Sequence, residues 1–120
     1  MKGSLTTHVL DITQGRPAAH LAFELWRVDR QGGKRTLLKM AHTNAEGRTD
    51  FPLLVEDELT VGCYEMVFMV GEYFSTQAIE TPIPPFLDQV PIRFSIADPS
   101  AHYHVPLLTS PWSYSMYRGC

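Results

Sequence analysis

Short apolar segments, each closed by glycine, proline or asparagine, constrain the fold of this chain more than any other feature. Within these segments apolar residues recur at every second position, the period of a β-strand that buries one face. Turn-forming residues such as Gly32-Gly33 and Asn44 separate them. The pattern predicts seven or eight short strands and therefore an all-β sandwich. The predicted strands cover residues 5–12, 21–26, 35–43, 48–51, 62–70, 90–97, 103–109 and 113–118.

Only one helix is predicted, over residues 71–78, and it has two turns at most. Pro82, Pro84 and Pro85 follow it and prevent continuation, because proline lacks the backbone donor that a helix needs. The chain has 120 residues, of which 44% are hydrophobic, enough for one buried core. We therefore expect a single domain that covers residues 1–120.

Charge and cysteine content exclude several classes of protein. The formal net charge is -3 and no basic stripe is present, which argues against nucleic-acid binding. No apolar run is long enough to span a membrane, and residues 1–7 lack the features of a signal peptide, so we expect a cytoplasmic protein. Cys63 and Cys120 are too few for a disulfide framework or a cysteine-rich metal site.

Two of the predicted strands carry apolar residues on both faces. In the first, His8 shares a face with Thr6 and Leu10, opposite a core-facing set. In the segment 102–108, His104 shares a face with His102 and Leu108. A sandwich layer that is apolar on its outer side usually meets another subunit, so we expect association through the faces that bear His8 and His104.

No nucleophile elbow, phosphate loop, Cys-x-x-Cys or His-Glu-x-x-His motif is present, so any catalysis must use scattered residues. A metal held by His8, His102 and His104 lacks a carboxylate or thiolate nearby in sequence. A Ser–His pair using Ser110, Ser113 or Ser115 lacks the strained turn that presents such a serine. Histidines that handle protons, with arginines that hold an oxygen-rich substrate, fit the residue types better. The candidates are His8, Arg48, His104, Ser115, Tyr117, Arg118 and Cys120.

The remaining arginines have a plainer interpretation. We expect Arg16, Arg27, Arg30 and Arg35 to be solvated at the surface, where most arginines lie. Arg93 alternates with core residues and should point outward from its strand. Asp11 is expected to be a strand-end or turn residue without a particular partner.

Four segments carry a family resemblance through their order and spacing. They are LTTHVLD with GRPAA at 5–11 and 15–19, TNAEGR at 43–48, FLDQVPIRF at 86–94, and HYHVPLL at 102–108 followed by YRG at 117–119. Together they resemble the 5-hydroxyisourate hydrolases of the transthyretin-like family, over essentially the whole chain.

The resemblance implies a transthyretin-like β-sandwich of two four-stranded sheets, assembled as a homotetramer with substrate sites in a channel between dimers. It implies hydrolysis of 5-hydroxyisourate to 2-oxo-4-hydroxy-4-carboxy-5-ureidoimidazoline without a cofactor or metal, a step in urate degradation to allantoin. It also implies that His8 and His104 position and deprotonate water. Which of the two histidines is the base remains open. Arg48 and Arg118 would bind substrate oxygens, and Tyr117 and Gly119 would line the pocket.

The last residue departs from the family pattern. Cys120 stands where the family usually has serine, and Met116 where threonine is more usual. If the terminal side chain assists proton transfer, Cys120 is catalytic and its thiol, a weaker hydrogen-bond donor, alters the rate. If only the terminal carboxylate and backbone matter, the thiol is tolerated. The alternatives are a carrier that binds an aromatic ligand in the same channel, and an inactive structural homologue.

Overall fold

Two β-sheets pack face to face in the computed structural model, which describes residues 2–120. The strands are β1 (Ser4–Asp11), β2 (Arg16–Pro17), β3 (Ala22–Val28), β4 (Arg35–His42), β5 (Leu54–Val55), β6 (Gly62–Met69), β7 (Gln89–Ile96), β8 (His102–Thr109) and β9 (Tyr114–Met116). The first sheet has the order β2-β1-β8-β9, with β5 paired to the start of β1, and the second has the order β4-β3-β6-β7. A 3-10 turn at Glu56–Glu58 follows β5, and helix α1 at Val70–Ser75 follows β6.

The predicted all-β sandwich with one short helix is confirmed. Most strand boundaries agree within a residue or two, and the helix is shorter than predicted because it ends at Ser75. One strand prediction is wrong: residues 48–51 form bends and irregular backbone, and the short strand lies at Leu54–Val55 instead. Phe51 is exposed and Pro52 lacks a backbone donor, so this segment has neither a face to bury nor a complete hydrogen-bonding edge. The two-residue β5 makes the first sheet five-stranded.

The core lies between the sheets and follows the strand period. Leu5 and Val9 of β1 are fully buried, as are Met66 and Phe68 of β6, while the residues between Leu5 and Val9 alternate in burial. Apolar side chains pointing to one face of each strand therefore meet in one layer, which is the usual way a sandwich gains hydrophobic stabilisation. No helix among residues 2–120 has the length and apolarity to cross a membrane.

A buried carboxylate fixes the end of β1. Asp11 is fully buried and accepts hydrogen bonds from the backbone amides of Thr13 and Gln14, both at 3.0 Å. The Tyr73 hydroxyl of α1 donates to the same carboxylate at 2.8 Å. Burial, followed by the contact with Asp11, raises the pKa of Tyr73. Asp11 thus has several partners, contrary to the expectation from sequence, and it joins the helix to the first sheet.

Candidate active site

The parallel pairing of β1 with β8 places hydroxyl groups beside imidazoles. Ser4 pairs with His102 and Thr6 with His104, so all four side chains point to the outer face of the first sheet. The Thr6 Oγ1 lies 2.8 Å from His104 Nδ1, and the Ser4 hydroxyl contacts His102 Nδ1. The two imidazole rings are nearly parallel, with their centroids 6.5 Å apart. His8 continues this row two residues beyond Thr6 on β1.

A tight turn brings Arg48 next to this row. The Asn44 side chain accepts hydrogen bonds from the amides of Glu46 at 2.9 Å and Arg48 at 3.1 Å. Gly47 has a φ of +75°, and a Cβ there would lie 2.3 Å from the Val9 carbonyl oxygen. Only glycine fits this close approach to β1, whose Val9 amide donates to the Gly47 carbonyl at 2.8 Å. The predicted turn therefore fixes Arg48 beside His8.

An open cleft of about 370 Å³ lies over this part of the sheet. Thr6, Arg48, Phe51, His102, His104 and Cys120 are among the residues that line it. The Arg48 side chain forms no ion pair with any carboxylate among residues 2–120. A free guanidinium at the wall of a cleft can bind oxygen atoms of a ligand.

The carboxyl-terminal tail forms one wall of the cleft. The amide of Gly119 donates to the His104 carbonyl at 2.8 Å, and a Cβ at Gly119 would lie 2.6 Å from His104 Cδ2. Because β9 pairs Met116 with Leu107, the bridge between Gly119 and His104 continues the same register. That register places Tyr117, which is 58% exposed, on the same face as His104.

Arg118 lies on the other face of the tail, away from the cleft. Its guanidinium is 4.2 Å from the centre of the Tyr103 ring and donates to the His102 carbonyl oxygen at 3.3 Å. Tyr103 is buried and its hydroxyl accepts from the amides of Ala97 and Asp98. In this subunit Arg118 therefore holds the tail to β8, whereas Arg48 faces the cleft.

The surroundings of both histidines of the predicted pair lower their pKa values and so favour the neutral form. Partial burial lowers the pKa of His8, the Arg48 charge lowers it further, and hydrogen bonding to the Glu46 backbone opposes the shift. Partial burial also lowers the pKa of His104, helped by Arg48, His102 and His8, and hydrogen bonding to the Thr6 backbone opposes this. A neutral imidazole has a lone pair that can accept a proton from water.

The two other arrangements considered from sequence have less support. Within residues 2–120 no group of three or more histidine, cysteine or acidic side chains is close enough to hold a metal ion. The Nδ1 atoms of His102 and His104 also contact hydroxyl groups. Ser115 pairs with Leu108 on β8, and Ser110 and Ser113 bond each other across a turn. In the described part of the chain, residues 2–120, the Ser4 hydroxyl on His102 is the only serine hydroxyl that contacts a cleft histidine.

Arg48, His104 and Cys120 thus line one cleft, Gly119 packs on His104, and His8 lies near Arg48 without being among the lining residues. Tyr117 shares the face of His104 by register, whereas Arg118 stacks on Tyr103 and Ser115 pairs with Leu108, farther along β8. Thr6 and His102 are cleft residues to which sequence reasoning assigned no role in proton transfer. Strand alternation offered a signal for both, because Thr6 shares a face with His8 and His102 with His104. The assembled groups can activate water and stabilise negative charge on an oxygen, which is the chemistry of hydrolysis at a carbonyl.

Comparison with known proteins agrees with this chemistry. The sequence profile of the HIUase/Transthyretin family matches residues 5–119. A relative from Rhizobium meliloti (strain 1021), 5-hydroxyisourate hydrolase 2, is 50% identical over 98% of this chain and 96% of its own. The solved structure of (S)-allantoin synthase has a TM-score of 0.92 and 45% identity, and the match covers 99% of this chain and 44% of that longer chain.

A thyroxine-binding protein has the same fold at lower sequence identity. Sea bream transthyretin in complex with thyroxine has a TM-score of 0.84 and 28% identity, over 97% of this chain and 94% of its own. The relatives of this chain thus include a hydrolase and a transthyretin. Its sequence identity is 50% to the hydrolase and 28% to the transthyretin. With a profile that spans nearly all of its length, this chain belongs to the HIUase/Transthyretin family.

Proposed function

We propose that this protein hydrolyses 5-hydroxyisourate, opening its ring to give 2-oxo-4-hydroxy-4-carboxy-5-ureidoimidazoline in urate degradation to allantoin. The observation that carries the proposal is that His8 and His104 lie on one sheet face with lowered pKa values, beside Arg48, whose guanidinium has no ion-pair partner among residues 2–120. The whole-length similarity to a 5-hydroxyisourate hydrolase supports the choice of substrate.

In the proposed reaction, water attacks a ring carbonyl of the substrate. His8 or His104 accepts a proton from the attacking water, forming an imidazolium. The new carbon–oxygen bond leaves negative charge on the former carbonyl oxygen, which the Arg48 guanidinium stabilises. The carbon–nitrogen bond of the cyclic amide then breaks, and the departing nitrogen receives a proton from the imidazolium. Protein groups alone complete this cycle, so the proposal requires no cofactor.

The tail residues have supporting roles in this proposal. Gly119 permits close packing of the tail on His104, since any side chain there would meet the imidazole. Tyr117 adds an aromatic wall on the side of the cleft where its ring is exposed. Cys120 lines the cleft, where its thiol and terminal carboxylate can contact substrate or water. Arg118, which stacks on Tyr103, fixes the tail instead of touching the substrate.

We also propose that the enzyme works as a cytoplasmic homotetramer with its sites between dimers. A single subunit leaves the cleft open, with Phe51 80% exposed at its wall and Tyr117 58% exposed nearby. Aromatic groups around an open polar cleft are typical of a surface that a second subunit covers. Size-exclusion chromatography with light scattering tests the assembly.

The function is tested by following substrate decay. Urate oxidase generates 5-hydroxyisourate from urate, and the ultraviolet absorbance of the product is recorded with and without this protein at pH 7. The proposal predicts faster decay with added protein, in proportion to its concentration. Decay at the spontaneous rate would reject hydrolysis.

A carrier function is the second candidate, favoured by the similarity to thyroxine-bound transthyretin. Arg48 and the two imidazoles oppose it, because an apolar ligand would strip these polar groups of water without replacing their hydrogen bonds. Calorimetry with thyroxine tests this candidate. Replacing Cys120 with serine tests the inactive homologue: activity that appears only in C120S would mean that the natural chain has lost catalysis through its last residue.

A further inference from the structure

Two contacts hold the His104 ring. The Thr6 hydroxyl lies 2.8 Å from Nδ1 on one side of the ring. Gly119 packs against Cδ2 on the other side, where even a methyl group would collide. Together these contacts keep Nδ1 next to Thr6.

The contact with Thr6 occupies Nδ1 and leaves Nε2 as the other ring nitrogen. A neutral imidazole has one N–H and one lone pair, so Nε2 can accept a proton only in the tautomer that carries its hydrogen on Nδ1. In that tautomer the Thr6 Oγ1, 2.8 Å away, accepts the Nδ1 hydrogen. The tautomer of a histidine is set by the partner of one nitrogen, and this leaves the other as the base. In an imidazole Nε2 points away from Nδ1, here away from Thr6.

We propose that Thr6 is a positioning residue that holds His104 with Nδ1 protonated, so that Nε2 is the atom that exchanges protons during hydrolysis. Thr6 accepts the Nδ1 hydrogen with its side-chain oxygen, and this bond strengthens when His104 becomes an imidazolium. The inference rests on the proposed hydrolysis for its kinetic test only, because the tautomer of His104 is measurable without substrate.

The neighbouring Ser4–His102 pair provides a matched control. It has the same hydroxyl-to-Nδ1 contact, the same pair of strands and the same parallel register, two residues earlier on each strand. His102 is exposed, whereas His104 is half-buried, and Gly119 packs against His104 alone. A hydroxyl removed at Ser4 therefore causes a comparable disturbance of β1 without releasing the His104 ring.

The kinetic test compares Thr6→Val, Thr6→Ser and Ser4→Ala with the natural chain. Valine keeps the shape of threonine and removes only the hydroxyl, so T6V should lower kcat about 10- to 100-fold, the effect of one hydrogen bond to a charged group. KM should change less than about threefold, since the bond strengthens only in the transition state. T6S should recover most of kcat, and S4A should leave it nearly unchanged.

Nuclear magnetic resonance of protein labelled with 15N at histidine gives the independent readout. In the natural chain at pH 7.5, the His104 signals should show hydrogen on Nδ1 and a free lone pair on Nε2, and T6V should mix the two tautomers.

The proposal is overturned if His104 carries hydrogen on Nε2 in the natural chain. It is also overturned if folded T6V keeps full kcat, if T6V raises only KM, or if S4A lowers kcat equally. If T6V does not fold, the kcat of T6S and the tautomer of His104 in the natural chain still test the proposal. Absence of hydrolysis by the natural chain, with Nδ1 protonated, would reject the proposed function and leave the positioning of His104 intact.

Discussion

The outer faces of the two sheets use arginine in opposite ways. On the second sheet, Glu65 is nearly buried and accepts hydrogen bonds from Arg35 at 2.8 Å and Arg93 at 3.0 Å. Arg35 also lies 4.2 Å above the ring of Trp26. On the first sheet, Arg48 has no carboxylate partner among residues 2–120 and lowers the pKa of both His8 and His104.

This difference shows which face is available for chemistry. A bound carboxylate offsets the charge of a guanidinium, so this guanidinium attracts the oxygens of a ligand only weakly. Its interaction joins neighbouring strands instead. A guanidinium without a partner attracts oxygen atoms and keeps nearby imidazoles neutral. The number of arginines on a face is therefore less informative than whether a carboxylate lies between them.

Matched substitutions of one arginine on each sheet test whether the two faces differ in function. Arg48→Gln removes the group proposed to stabilise the oxyanion, so hydrolysis should fall about 10²- to 10³-fold. Arg93→Gln removes a cation of the same type from the second sheet and should leave the rate unchanged. Initial rates of 5-hydroxyisourate decay measure both. Equal losses in the two variants would mean that the faces do not differ in function.

Glu65→Gln tests the structural role of the second sheet. The side chain keeps its size but loses its charge, leaving Arg35 and Arg93 without a counterion. Their side chains are 40% and 57% exposed, so water compensates in part and we expect a loss of about 1–2 kcal/mol in the free energy of unfolding. Urea unfolding at fixed protein concentration measures this, with Lys2→Gln as the control for an exposed pair. Unchanged stability would mean that the pairing adds nothing.

The pH dependence of hydrolysis distinguishes Arg48 from Arg93 by a smaller effect. Hydrolysis needs neutral imidazole, and burial followed by the Arg48 charge lowers the pKa of His8 and His104. Activity should therefore persist below the ordinary histidine pKa of about 6.5 and fall only at lower pH. Arg48→Gln should move this fall toward higher pH, while Arg93→Gln should not. Because the unfolded chain binds protons first, stability should also decrease as the pH falls below about 6.5. A profile that is identical in all three proteins would exclude the Arg48 effect.

Much of the site could be predicted from local sequence patterns. The period of two placed His8 and His104 on outward strand faces, and Asn44 with Gly47 indicated the turn that carries Arg48. Alternation could also have separated Arg118 from Tyr117 and Gly119, since neighbouring residues of an extended tail point to opposite sides. The family resemblance grouped these three residues, and the register of β9 with β8 separates them.

Other features depend on contacts between residues that are distant in sequence. The bond between Thr6 and His104 joins residues 98 positions apart and follows from the parallel register of β1 and β8. Asp11 has its tyrosine partner 62 positions away, in α1. Glu65 lies between Arg35 of β4 and Arg93 of β7 because β6 neighbours β7 and the long Arg35 side chain crosses β3. Strand order and register determine such pairs, and neither is contained in local periodicity.

Hydrolysis on the outer face of the first sheet is proposed to depend on the imidazole of His104. The decay of freshly generated 5-hydroxyisourate is followed at pH 7 with equal amounts of the natural chain and of His104→Asn, after circular dichroism has shown that both are folded. The natural chain should accelerate decay, and His104→Asn should lose about 10²- to 10⁴-fold of that acceleration, the contribution of a positioned proton-transfer group. Full activity in His104→Asn would contradict the claim.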